Sequence, residues 1–100
     1  MHPEFLYKIV SPKEWQESKL QHRVIATPID QGFIHLASED QIAHVLQKFW
    51  KNQEWVLLKL VSRKLQGRLV YETNPGGTNR YYHLYEGSIP LDAVVEVTNC

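Results

Sequence analysis

The segment RLVYETNPGGTNRYYHLY, residues 68–85, carries the clearest folding signal in the chain. Both of its ends are rich in β-branched and aromatic residues, which favour strands. Its middle, Asn74 to Asn79, contains the proline and glycines that are typical of turns. We therefore predict a hairpin of two antiparallel strands, Arg68 to Thr73 and Tyr81 to Tyr85, joined by this loop.

The remainder of the chain alternates strand and helix signals around this hairpin. Apolar and β-branched runs predict strands at Phe5 to Val10, Gly32 to Ala37, Trp55 to Val61 and Ala93 to Thr98. The nearly continuous apolar run from Trp55 predicts a central strand covered on both faces. We interpret Gln21 to Gln31 as a surface loop and Ser88-Ile89-Pro90 as a turn.

Two helices are predicted, each with a recognisable start. Ser11, Pro12 and Glu14 form a capping signature for a helix over about Pro12 to Leu20. Ser38 and Gln41 form a second capping box, and apolar residues recur at helical spacing after it, which predicts a helix over about Glu39 to Trp50. Two helices before a β-rich second half predict an α+β fold, because too few helices separate the later strands for a doubly wound parallel sheet.

The size and charge of the chain restrict the classes of function. Its 100 residues carry 11 acidic and 11 basic side chains and no net charge, so we expect a single domain over residues 1–100 with no DNA-binding surface indicated. The apolar runs are too short for a membrane span, and the start Met1-His2-Pro3-Glu4 lacks a leader pattern. We therefore expect a cytoplasmic protein with no membrane partner, and leave its oligomeric state open.

Cysteine and histidine usage argues against a metal site. Cys100 is the only cysteine, so neither an intrachain disulfide nor a cysteine-based zinc site is expected, and we interpret its thiol as incidental. The five histidines show no metal-binding spacing.

His35 is the first candidate for chemistry. It lies in a predicted strand immediately before a capped helix, whose free N–H groups near Ser38 could hold a phosphate or carboxylate. The alternative is a core histidine bonded to a backbone carbonyl, with Ser38 only capping its helix.

The hairpin supplies the other candidates. Strand alternation places His83 on one face with Tyr81 and Tyr85, a wall on which a base or sugar ring could stack. Glu72 ends the preceding strand, where it could bind a ribose hydroxyl or act as an acid or base. The alternatives are a core aromatic face and an exposed ion pair of Glu72 with Arg80 or Lys8.

Taken in order, the segments Phe5 to Val10, Thr27-Pro28-Ile29-Asp30, Gly32 to Ser38, Tyr71-Glu72 and Tyr82 to Tyr85 resemble the mainly bacterial family known as domain of unknown function 952. The resemblance covers essentially the whole chain. It implies a small split β-sheet, mixed or antiparallel, with two helices, similar to the fold of the ADP-ribosyltransferases. The family's activity is not established, so the step from fold to reaction is an analogy.

The analogy implies a nucleotide or NAD-related ligand, NAD being the cofactor suggested by the fold. It suggests Glu72, His35 and His83 as catalytic residues and Lys8, Ser38, Tyr81 and Tyr85 as ligand-binding residues. This chain has Lys8 where transferases of this fold commonly carry His or Arg, and Glu86 is inserted into the family's Tyr-Gly pattern. A transferase, a non-catalytic module for a small ligand and a protein-interaction domain are the hypotheses that follow.

Overall fold

A computed structural model describes residues 2–99, and its helices and strands follow the predicted α+β class. Three short 3₁₀ turns, Glu39–Gln41, Ser62–Lys64 and Leu91–Ala93, lie between the main elements. In chain order these elements are β1 (Phe5–Val10), α1 (Pro12–Gln21), β2 (Arg23–Val24), β3 (Ile34–Leu36), α2 (Ile42–Phe49), β4 (Val56–Val61), β5 (Gln66–Thr73), β6 (Arg80–Pro90) and β7 (Val94–Asn99). Cys100 lies outside the described residues.

The strands form two antiparallel sheets. The first has the order β1-β4-β7, and the second is arranged around β6, which pairs with β2, β3 and β5. The two sheets meet where Tyr7 and Ala37 exchange two backbone hydrogen bonds of 2.8 Å. The α+β class, the two helices and the antiparallel pairing are therefore confirmed.

The hairpin has the predicted form, with Glu72 opposite Tyr81 and Val70 opposite His83. Its second strand, however, continues to Pro90, so the turn predicted at Ser88-Ile89-Pro90 is wrong. A bulge at Glu86, which has a φ of 51°, shifts the register between the two strands and lets β6 continue. The extended strand then pairs with Arg23–Val24, inside the segment predicted as a loop.

Strand β4 is central in its sheet as predicted, but it is not covered equally on both faces. Leu58 and Leu60 are fully buried, whereas Leu57 and Lys59 are half-exposed on the opposite face. The core therefore lies on one side of this sheet. Its members are mainly aliphatic side chains from both sheets, including Leu6, Val10, Leu58, Leu60, Leu84 and Ile89.

Helix α1 begins at the predicted capping box, in which Ser11 Oγ accepts from the Glu14 N–H and the Glu14 carboxylate accepts from the Ser11 N–H. The second predicted helix, Glu39 to Trp50, is shorter than expected. It opens as a 3₁₀ turn and is α-helical only over Ile42–Phe49. No residue of α2 is fully buried, although its apolar residues recur on one face.

Within residues 2–99, no helix combines the length and apolar character needed to cross a bilayer.

Candidate functional site

A cleft of about 640 Å³ opens beside the contact between the two sheets. Strand β1 and strand β3 form its floor, the C-terminal half of α2 forms one wall, and the loop 74–79 forms another. Tyr81 and Ile29 complete the lining. This volume is within the range of small-molecule sites, which is about 300–1,000 Å³.

The lining is apolar and aromatic, with a few polar groups. Val45, Phe49 and Trp50 present apolar surface from α2 and the residue that follows it. Lys8, Lys48 and His35 are the ionisable lining residues with cationic forms, and none of the described lining residues is acidic. The cleft is therefore suited to a ligand that is partly apolar and carries negative charge.

Asp30 lies beneath the cleft floor and joins β1 to β3. Its side chain is 0% exposed and its Oδ2 is 2.9 Å from Nζ of Lys8, which is itself 3% exposed. The same oxygen accepts hydrogen bonds from the N–H and the hydroxyl of Thr27. Oδ1 accepts the backbone N–H of His35 and lies 3.0 Å from its Nδ1. The carboxylate thus has partners on both oxygens, as a buried charge requires.

Burial and the ion pair shift the pKa of Asp30 in opposite directions, and the same is true of the pKa of Lys8. Burial alone would raise the pKa of Asp30, but the His35 hydrogen bond and the Lys8 charge hold that pKa well below its usual range. Burial lowers the pKa of Lys8, and the neighbouring Asp30 opposes that shift. Asp30 is therefore a carboxylate at neutral pH, with no proton to donate.

His35 is the histidine that reaches the cleft. Its side chain is 26% exposed and lines the floor. Because Asp30 can only accept, the proton of the neutral ring belongs on Nδ1, and Nε2 keeps its lone pair. No other residue within the described range 2–99 hydrogen-bonds Nε2.

His83 lies behind His35, with the two ring centroids 5.3 Å apart. It is fully buried, and Phe33 stacks on it at 4.0 Å. Its Nδ1 is 2.9 Å from Oε1 of Glu72, and its Nε2 is 2.7 Å from Oδ1 of Asn74. Both ring nitrogens of His83 therefore have a partner. The contact with Nε2 holds Asn74, which is the first residue of the cleft loop.

Glu72 bonds the buried His83 from the solvent side: its own side chain is 37% exposed, and it does not line the cleft. Its Oε1 also accepts a hydrogen bond from the Tyr85 hydroxyl. The bonds from Tyr85 and His83 lower the pKa of Glu72, and the bond to Glu72 raises the pKa of Tyr85. The network holds Glu72 as a carboxylate with one side-chain oxygen already engaged.

The predicted site residues therefore fall into three groups. Lys8, His35 and Tyr81 line the cleft, while Glu72, His83 and Tyr85 form the cluster behind it. Ser38 belongs to neither group. Its hydroxyl donates to Asp40 Oδ1 at 2.6 Å, and its N–H donates to the Gln41 side chain. The polar groups of Ser38 are therefore hydrogen-bonded within the turn itself.

Asp30 and Asn74 were not identified from the sequence. Both lie in segments that the sequence predicts as turns or loops, and their partners lie on strands: Lys8 on β1 for Asp30 and His83 on β6 for Asn74. One available signal was Lys8 itself. A lysine in the middle of an apolar strand must find an acceptor if it is buried, and Asp30 is such an acceptor. Within residues 2–99, no three His, Cys, Asp or Glu side chains are grouped as a metal site requires.

Two solved structures of one bacterial protein are similar to this chain. The crystal structure of protein CC0527 from Caulobacter crescentus is 32% identical, with a TM-score of 0.82, covering 95% of this chain and 84% of that chain. Its solution NMR structure is 29% identical, with a TM-score of 0.76, covering 96% of this chain and 84% of that chain.

No curated protein matches this sequence significantly. The model of one family, described as protein of unknown function (DUF952), matches residues 9–97. That span includes His35, His83, Glu72 and Asp30. The chain therefore belongs to the DUF952 family.

Proposed function

We propose that this chain binds an anionic, nucleotide-related small molecule in the cleft between β1 and β3. The observation that carries the proposal is the composition of the lining, which combines aromatic and apolar side chains with the cation of Lys48 and has no acidic side chain among the described residues; the charge of Lys8 is already paired with Asp30. A nucleotide has an apolar, stackable base and a negatively charged phosphate. It matches both properties.

The exposure of helix α2 adds to this argument. It has a strongly apolar face, yet none of its residues is fully buried, and Phe49 is 49% exposed. Val45 and Phe49 instead face the cleft, where a flat ring could cover them. Trp50 and Tyr81 are aromatic walls for the same ring.

The polar part of the ligand is assigned to the end of α2 and to the loop 74–79. Lys48, on the same helix as Val45 and Phe49, carries a charge that can attract phosphate, and the loop brings glycine backbone close to the cleft. His35 Nε2 is an acceptor for a ligand hydroxyl. An ADP-ribosyltransferase-like fold, with NAD as ligand, is the finer form of this proposal and rests on the split between the sheets and on the fold analogy.

Catalysis would be a transfer or hydrolysis of such a ligand, and a non-catalytic binding module is the second candidate. The second candidate is favoured by the position of Glu72, because one of its oxygens is engaged by His83 and Tyr85 and the residue does not line the cleft. Glu72→Gln separates the two candidates. An enzyme that uses Glu72 would lose activity with little change in affinity, whereas a binding module has no activity to lose.

The test is a thermal-shift panel of NAD, ADP-ribose, nucleoside phosphates and a 2′-phosphorylated RNA end. A ligand at 100 times its Kd should raise the free energy of unfolding by about 2.7 kcal/mol. Lys48→Gln should weaken the binding of the active ligand, and Lys13→Gln, on α1 outside the cleft, should not. If no member of the panel shifts the transition, the nucleotide proposal fails and a protein-interaction role is favoured.

A further inference from the structure

Asp30 and His35 form a pair that ligand binding alone does not require. We propose that His35 is the proton acceptor of the cleft and that Asp30 is the residue that positions it. The inference deepens the proposed function, on which it rests for its substrate, an anionic nucleotide-related ligand with a hydroxyl group. It assigns the acid–base role to His35 and a positioning role to the buried carboxylate of Asp30.

The geometry fixes the orientation of the imidazole. Oδ1 of Asp30 is 3.0 Å from both the backbone nitrogen and Nδ1 of His35. One oxygen therefore holds the main chain and the ring of the same residue. Rotation of the ring away from Asp30 would break the Nδ1 bond and leave a buried carboxylate oxygen with one partner fewer.

Asp30 is itself held rigidly. Its second oxygen is bonded by Lys8 and Thr27, and Lys8 also donates to the carbonyl oxygen of His35 at 3.3 Å. These contacts come from β1 and from the loop before β3. The support therefore spans both sheets, which is the kind of preorganisation that proton transfer benefits from.

The chemical consequence is a defined tautomer. With Nδ1–H donating to Asp30, the Nε2 lone pair is available in the cleft. When a ligand hydroxyl meets Nε2, its O–H bond breaks, an N–H bond forms on the imidazole, and the electron pair stays on the oxygen. The resulting imidazolium lies against the Asp30 carboxylate, which stabilises its charge.

The experiment reads the tautomer directly in the ligand-free protein. Long-range proton–nitrogen correlation spectra of the ¹⁵N-labelled chain, recorded where histidines are neutral, should show His35 protonated at Nδ1. In Asp30→Asn the side-chain amide can donate to Nδ1, so the proton should move to Nε2. The exposed His22 and His44 are reference rings in the same spectrum.

A reactivity measurement supplies a second readout. Diethyl pyrocarbonate acylates the unprotonated nitrogen of accessible imidazoles, and mass spectrometry can follow the peptide that contains His35. We expect acylation of His35 to slow by about tenfold or more in Asp30→Asn, because the wrong tautomer removes the free lone pair. Thr27→Val is the matched control, since it removes one donor to Asp30 and leaves the His35 contact intact.

Two results would overturn the proposal. One is a wild-type His35 protonated at Nε2, a reading that does not depend on whether Asp30→Asn folds. The other is an Asp30→Asn variant, folded by its circular dichroism, in which the tautomer and the acylation rate match those of the wild type. Either result leaves ligand binding untouched, whereas a silent ligand panel would reject the proposed function without changing the tautomer.

Discussion

Lys8 and Asp30 form a charged contact in the interior of a small protein. Both side chains are almost fully buried, and their heavy atoms are 2.9 Å apart. Removing both charges from water is costly, so a pair of this kind is weak evidence of stabilisation in itself. Loss of one partner is a different matter, because it leaves the other charge buried and unpaired.

We therefore expect Lys8→Met to lower the free energy of unfolding by about 3 kcal/mol. Lys13→Met, an exposed position on α1, should change it by less than about 0.5 kcal/mol. Urea denaturation of the two variants measures the difference. Equal stabilities would show that the Lys8 ion pair is not needed to keep Asp30 buried.

The lowered pKa of Asp30 also determines how the stability of the fold should depend on pH. Its pKa in the folded protein is below the usual value of 3.8, so the unfolded chain binds this proton more readily. The stabilisation is complete above that usual value and is lost as the pH falls below it. Denaturant titrations from pH 6 to pH 2 should show this loss in the wild type and a shallower one in Asp30→Asn. Parallel curves would contradict the assignment.

Local residue patterns indicate only part of this arrangement. The hairpin signal places Glu72 opposite Tyr81, because register within a hairpin is set locally. The pairing of His35 with His83 joins strands that are distant in the chain, and no local pattern indicates it. The burial of Asp30 could not be predicted from its own segment, because it depends on Lys8 of another strand. Ser38 instead follows the capping alternative, because its N–H donates to the Gln41 side chain and its hydroxyl donates to Asp40.

At the scale of elements, the hairpin depends on a close approach between β5 and β6. Gly67 and Gly87 face each other where the register shifts. A Cβ added to Gly87 would lie 2.0 Å from the carbonyl oxygen of Gln66 and 2.8 Å from the Leu84 side chain. The bulge at Glu86 therefore needs a glycine immediately after it.

We predict that Gly87→Ala lowers the free energy of unfolding by about 1–3 kcal/mol, the usual cost of forcing atoms into a packed site. Gly77→Ala is the control, because the nearest atom to its added Cβ is at 3.4 Å and the loop there is exposed. Thermal or chemical denaturation measures both. A Gly87→Ala protein as stable as Gly77→Ala would mean that the strands can separate at the bulge without cost.

The loop 74–79 is a second element with a specific support. Its first residue is bonded to the buried His83, which Glu72 holds from the other side. We expect Asn74→Ala to increase hydrogen exchange of the loop amides severalfold, because the loop loses its tether to the core. Asn79→Ala, at the exposed far end of the loop, should leave exchange nearly unchanged. The same exchange rates in both variants would assign no anchoring role to Asn74.

For the whole molecule, the sequence predicted the class of fold better than the way in which the two sheets meet. Period-two patterns and capping signals identified both helices and most strands, since those signals are local. The bridge between Tyr7 and Ala37 and the continuation of β6 to Pro90 depend on contacts between distant segments. The cleft forms where the two sheets contact each other, so no single segment of the sequence could predict its shape.

The most direct test of the proposed cleft is a map of backbone and imidazole chemical shifts during titration with the panel ligand that gives the largest thermal shift. We predict shift changes at residues 7–9, 35–37 and 74–79 together, with the His35 Nε2 signal among the largest, because these positions line one cleft. A saturating, stabilising ligand that shifts only signals away from the cleft would contradict the proposal.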